Sequence, residues 1–156
     1  MPAFGLPHGM KSVHKSVLIW HSAHEMFTLV TDVARYPEFL PWCSSGKVLE
    51  QTEHGMLASI GMSIGGLQKS FTTQNTHVAD RRIHLNLVDG PFSRLDGTWT
   101  FTPVGTPEQR ACKIEFVLNY GFSSNTLAAL VGPVFDKIAG SLVDAFVKRA
   151  DQVYGE

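Results

Sequence analysis

Seven histidines, two cysteines and fourteen carboxylates give this 156-residue chain the groups for acid–base, metal or thiol chemistry. Their spacing organises none of it. His8, His14, His21, His24, His54, His77 and His84 are scattered, and His21-Ser-Ala-His24-Glu25 lacks the four-residue histidine interval that turns two imidazoles toward one zinc ion. The glycines between Gly61 and Gly66 stand between two strand-like runs, not between a strand and a helix, so no phosphate cradle is implied. No serine sits in a nucleophile elbow. Cys43 and Cys112 fit neither a disulfide framework nor a metal motif and read as reduced, buried thiols of a cytoplasmic protein. Asp32, Arg35, Glu38, Asp89, Arg94 and Asp96 are charged groups for which surface solvation is a sufficient explanation.

With catalytic constellations missing, the informative residues are the apolar ones and the elements that must position them. Thirteen basic residues against fourteen acidic ones leave a net charge of -1, which removes the long-range attraction that DNA binders use. The length suits one domain with a sizeable core. Residues 1–9, with two prolines, two glycines and no periodicity, read as a tail, and residues 10–156 as the domain. No signal peptide and no run of eighteen apolar residues is found.

Lys11 to Trp20 has the β-branched and aromatic content of a strand. At Ser22 the period changes. Ser22 and Glu25 form a capping box, and Ala23, Met26, Phe27, Val30 and Val33 mark one face of a helix reaching about Ala34. Arg35 to Cys43 contains two prolines, which oppose a regular helix, beside aromatic residues that require burial, so it reads as an apolar plug or lid. Six strands follow, separated by short turns: Lys47–Glu53, Met56–Ile64, Leu67–Val78, Arg82–Val88, Leu95–Pro103 and Ala111–Tyr120. Short connections make neighbours antiparallel. Leu95, Gly97, Trp99 and Phe101 share one face of their strand with threonines opposite, whereas Lys69 to His77 is polar on both faces and must meet solvent or line something not wholly apolar.

The last element, Ser123 to Tyr154, is one long amphipathic helix with Asn125 as its cap, Gly155 at its end and Pro133 as a kink or a start. Leu127, Leu130, Val131, Val134, Phe135 and Ile138 begin its apolar stripe, which continues through Leu142, Phe146 and Val153. Seven strands about 4.8 Å apart span roughly 30 Å, while one helix covers only about 10 to 12 Å. The sheet must therefore curl around the helix, and glycines such as Gly61, Gly65, Gly66 and Gly97 help it to do so. An apolar cavity between the two is the expected result.

Three separated stretches then fall into place. Asp32-Val-Ala-Arg-Tyr-Pro-Glu-Phe-Leu-Pro-Trp-Cys43, Asn86-Leu-Val-Asp-Gly-Pro-Phe92 with Leu95, Gly97, Trp99 and Phe101, and Val143-Asp-Ala-Phe-Val-Lys-Arg-Ala150 with Val153-Tyr154 resemble the coenzyme Q-binding START-like family. That family is also labelled polyketide cyclase/dehydrase, and its bacterial branch is called ribosome-association toxin. The resemblance implies an α+β helix-grip fold of the START/Bet v 1-like kind: a seven-stranded curved antiparallel sheet wrapped around a long C-terminal helix. It implies no catalytic residue, no metal and no required cofactor. It implies first a hydrophobic partner, ubiquinone or a related polyprenyl lipid, held in an apolar tunnel by a carrier or chaperone of respiratory electron transport. That role would bring transient contact with the inner membrane. The alternative it implies is binding to the large ribosomal subunit and blocking of subunit joining, for which Lys11, Lys15, Arg81, Arg82, Arg94, Lys148 and Arg149 would have to cluster. A cyclase-like enzyme is the remaining reading.

Inward phase and position beside the aromatic loop select the expected ligand-binding residues. These are Phe39 and Trp42 from the loop, Met62 and Phe71 from the middle strands, Leu87, Phe92, Leu95, Trp99 and Phe101 from the next two, and Phe135 and Ile138 from the long helix.

Overall fold

The computed structural model describes residues 10–155; the N-terminal tail, residues 1–9, lies outside the described residues. The described residues form seven strands, β1 (Lys11–Ile19), β2 (Cys43–Thr52), β3 (Gly55–Ile64), β4 (Leu67–Val78), β5 (Arg82–Asp89), β6 (Phe92–Pro103) and β7 (Cys112–Phe122). Strands β2 to β7 form a meander in chain order, and β1 pairs with β7, so the sheet runs β1-β7-β6-β5-β4-β3-β2 with every pair antiparallel. Register shifts between Cys43 and Ser45, Val48 and Glu50, Thr72 and Thr73, and Phe92 and Arg94 interrupt the ladders. Each such irregularity bends a strand and adds twist, which lets a wide sheet close over one helix.

Helix α1 (Ala23–Thr31) starts as its sequence requires. Ser22 Oγ accepts from the Glu25 N–H and Glu25 Oε1 accepts from the Ser22 N–H, a complete capping box. It stops at Thr31, three residues before the expected Ala34. Val33–Glu38 then forms a 3-10 helix with Pro37 inside it, where an irregular loop was expected. Tight i to i+3 turns need few donors in a row, so the missing N–H of Pro37 is tolerated, and the Phe39 and Leu40 N–H groups both return to the Tyr36 carbonyl. The Tyr36 hydroxyl donates back to the Val30 carbonyl, fixing this segment to the end of α1. It packs on β2 at Gly46, where a Cβ would overlap the Val33 carbonyl oxygen.

Helix α2 (Asn125–Tyr154) is continuous through Pro133. Its cap is Ser124, whose Oγ accepts from the Leu127 N–H at 3.1 Å, and not Asn125. Its buried stripe keeps Val131, Phe135 and Phe146 of the one expected but is turned toward Ala139, Val143 and Ala150. Val131, Phe135, Ala139, Val143, Phe146 and Ala150 face the sheet, whereas Leu130 is 67% exposed and Val134 45%. Both stripes have helical spacing; the inner one is richer in small residues, and these let α2 lie close to the large side chains of β6 and β7. The helix is long and apolar enough to cross a membrane by length and composition alone, but its buried stripe belongs to the core made with the sheet.

Candidate functional site

Strands β6 and β7 build the floor of the core by strict alternation. Leu95, Trp99 and Phe101 of β6 and Ile114, Phe116, Leu118 and Tyr120 of β7 are all buried. Trp99 lies 4.4 Å from Phe116 between ring centroids and meets Phe146 of α2 edge-on at 5.3 Å. Phe146 also takes the edges of Tyr36 and Phe39, at 5.3 and 5.2 Å, so one ring joins helix, sheet and 3-10 segment.

Between these groups is a cavity of about 110 Å³. Its apolar wall comes from α2 and β6, its closed end from Val30, Val33, Tyr36 and Leu40, and one side from β4. The β4 side is different in character. Thr73, Asn75 and His77, alternate residues of one strand, all line it. Thr73 is only 5% exposed and Asn75 6%, and the Thr73 hydroxyl donates to Asn75 Oδ1 at 2.7 Å. His77 packs edge-on against Phe27, and its enclosed Nε2 has no hydrogen-bond partner among the described residues. Burial lowers the His77 pKa and so favours its neutral form.

Among the residues expected to meet a ligand, Trp42, Phe71, Leu95, Trp99, Phe135 and Ile138 line the cavity. The other five lie elsewhere. Phe39 passes to the outer side, under the Arg149 guanidinium at 5.1 Å, and lines a surface cleft with Asp32 and Arg35. Met62 borders a small separate gap near Pro91 and Phe122. Phe92 is consumed by the aromatic cluster of Phe71, Phe122 and Phe135, and Phe101 by Phe27 and Trp99. Leu87, paired with Thr73 at the edge of the register shift, lies beside Gly90, while Leu85 takes the cavity position on β5. Inward phase placed these side chains on the right face without saying how far along it the free volume lies. The polar trio went unassigned, although the two-sided polarity of Lys69 to His77 was the signal for it.

The charged groups form local pairs. Arg35 bridges Asp32 and Glu38, Glu38 also takes Arg149 at 2.6 Å, and Arg94 holds Asp96 at 2.5 Å with Asn119 donating to the same carboxylate. Of the basic residues that would have to cluster on a ribosome, Lys11, Arg94 and Arg149 are therefore engaged by Asp136, Asp96 and Glu38. Burial pushes the Cys112 thiol up to about 11, helped by the nearby Glu25 charge, and burial raises Cys43 despite its hydrogen bond to the Ser45 carbonyl. Neither is a ready nucleophile. Among the described residues no three His, Cys, Asp or Glu side chains converge as metal ligands.

A family described as polyketide cyclase / dehydrase and lipid transport matches residues 19–147. The chain belongs to that family. Within this polyketide cyclase / dehydrase and lipid transport family it is 48% identical over 147 residues to a ribosome association toxin RatA of Vibrio cholerae serotype O1, a match that covers 94% of this chain and all of that one. A coenzyme Q-binding protein COQ10 homolog B, mitochondrial, of Xenopus laevis is 25% identical, covering 90% of this chain and 58% of that protein. Among solved structures, a START superfamily protein from Mycobacterium smegmatis superposes with a TM-score of 0.71 at 19% identity, covering 91% of this chain and 98% of that one. The helix-grip fold expected for a START-like family member is the fold observed: a seven-stranded antiparallel sheet around a long C-terminal helix.

Proposed function

We propose that this chain acts by binding to the ribosome, associating with the large subunit and opposing the joining of subunits in the cytoplasm. The observation that carries the reading is the 48% identity to a protein named ribosome association toxin over that protein's entire length. Chemistry in the cavity is not needed for it, and it requires no cofactor. Purified protein added to a cell extract should shift a sucrose-gradient profile from joined ribosomes to free subunits. A profile that stays unchanged across salt concentrations overturns the proposal.

A second reading, a carrier or chaperone for ubiquinone or a related polyprenyl lipid with contact at the inner membrane, is favoured by the largely apolar cavity and by the 25% identity to a protein named as coenzyme Q-binding. Volume weighs against a long tail in this conformation. About 110 Å³ is of the order of the ~150 Å³ apolar cavities that admit one benzene-sized guest. Each isoprene unit would require α2 or the 3-10 segment to move outward. Solvent extraction of protein purified from its own host, followed by mass spectrometry, tests this: bound quinone supports it, and absence of any lipid together with failure to bind added ubiquinone removes it.

A further inference from the structure

We propose that the outer face of the sheet, where β1, β7, β6 and β5 run side by side, binds single-stranded RNA. Trp20 is the platform on which a base stacks, and Arg81 and Arg82 take the phosphates. The proposal names a surface for the ribosome association put forward above, and rests on that reading for which RNA is met.

Register puts these residues on one face. Trp99, Phe101, Ile114 and Phe116 are buried in the core, so Thr100 and Thr102 of β6 and Lys113 and Glu115 of β7 point outward. Leu18 pairs with Lys113, which pairs with Thr102, and Ser16, Glu115, Thr100 and Arg82 make the next row. Trp20 continues the outward phase of Leu18 just past the end of β1. Arg81 precedes Arg82 in the turn, and its carbonyl accepts from the Phe101 N–H. Three strand intervals place the aromatic edge roughly 14 Å from the arginines.

The chemistry of this face is that of a nucleic-acid strand. Trp20 is 76% exposed and Leu18 beside it 65%, whereas Trp99 is 2% exposed. A bare indole face accepts any nucleobase, provided the base is free of a duplex. Arg81 and Arg82 make no ion pair among the described residues: the Arg81 guanidinium donates to the Asp80 carbonyl at 3.0 Å, while the Asp80 carboxylate pairs with His24. Lys113 meets Glu115, the carboxylate of the second row, only at 3.9 Å. The cations thus outnumber the free carboxylates, and the threonine hydroxyls between them can donate to phosphate oxygens. A second copy of this chain fits poorly, because like-charged faces would meet. Strand addition at the free edge of β1 is opposed by Lys15, a charge in the inward register between Val13 and Val17.

Two probes test the face: a fluorescein-labelled single-stranded RNA of about ten nucleotides, read by anisotropy, and purified large subunits, read by sedimentation. Trp20→Ala should weaken binding to each by about 5- to 150-fold, the worth of one stacked base. Trp20→Phe should restore most of it. Arg81→Gln with Arg82→Gln should flatten the slope of log affinity against log salt by about 1.4. All three positions are exposed, so the variants should keep wild-type urea midpoints. Quenching of wild-type tryptophan fluorescence by unlabelled RNA reads the stack without any substitution. With p-benzoylphenylalanine substituted for Trp20, light should attach the chain to ribosomal RNA. Attachment to ribosomal protein alone overturns the proposal, as does oligonucleotide binding that is absent or indifferent to Trp20→Ala. Large-subunit binding that survives Trp20→Ala unchanged also overturns it and leaves ribosome association standing. Oligonucleotide binding through Trp20 without any wild-type binding to large subunits removes the ribosome reading and supports the RNA face.

Discussion

Glu25 shows how one residue can tie three elements together. Its carboxylate completes the α1 capping box and receives Arg110 through two hydrogen bonds of 3.1 and 2.8 Å, while its backbone carbonyl accepts the Tyr154 hydroxyl from the end of α2. Burial alone would raise its pKa, but the Arg110 hydrogen bond, the Ser22 N–H and the Arg110 charge outweigh that and hold it below the usual value of 4.5. A carboxyl depressed in the folded state stabilises above its unfolded pKa, and that contribution disappears as pH falls through the folded value. Glu25→Gln is therefore expected to lower unfolding stability by about 1 kcal/mol at pH 7. The gap to wild type should narrow below about pH 4.5. Urea titrations at pH 7 and pH 3.5 check it, and a gap that widens in acid would refute the assignment. The capping box was legible from Ser22 and Glu25 alone, because both partners sit within one turn. Arg110 was not, since only folding brings it to a residue 85 positions away.

At the scale of elements, the corrected face of α2 has measurable consequences. The apolar spacing of Leu127 to Val153 fits two adjacent stripes, and nothing local chooses between them. Packing against the sheet and the 3-10 segment does so, by burying Ala139, Val143 and Ala150 beside Phe146 and leaving Leu130 to solvent. Phe146→Ala should therefore cost about 3 to 5 kcal/mol, with both lost transfer energy and a cavity at a three-element junction. Leu130→Ala should stay within about 0.5 kcal/mol. Comparable losses for the two variants in chemical denaturation would mean that the helix is rotated. The same logic applies to the 3-10 segment. Its aromatic residues announced burial, but which of them faces inward was decided by the Tyr36 bond to Val30 and by Arg149 covering Phe39.

For the molecule as a whole, charge constrains how a ribosome would be met. The chain is near neutral, and Lys11, Arg94 and Arg149 already have carboxylate partners. A protein neutralising six to ten phosphates loses about 10³ to 10⁵ in affinity between 50 and 200 mM salt. This one should lose no more than on the order of 100-fold over the same range, because only Lys15, Arg81, Arg82 and Lys148 of the seven basic residues that would have to cluster are without a carboxylate partner among the described residues. Binding to purified large subunits at the two salt concentrations measures it. A steep slope would reveal an RNA-facing basic surface that the ion pairs conceal.

Read alone, the sequence determined the strand and helix order, the inner face of each central strand, the wrapped sheet and the family, because those follow from periods of two and about 3.6 residues and from motifs held in order along the chain. It also flagged β4 as polar on both sides. Only the tertiary structure decided that Thr73, Asn75 and His77 line a cavity, that Phe92 and Phe101 are spent on core packing, and that α2 presents Ala139 and Val143 inward. The physical reason is that a cavity is the volume left between two surfaces. Periodicity describes each surface separately, and only their packing fixes where they fail to touch.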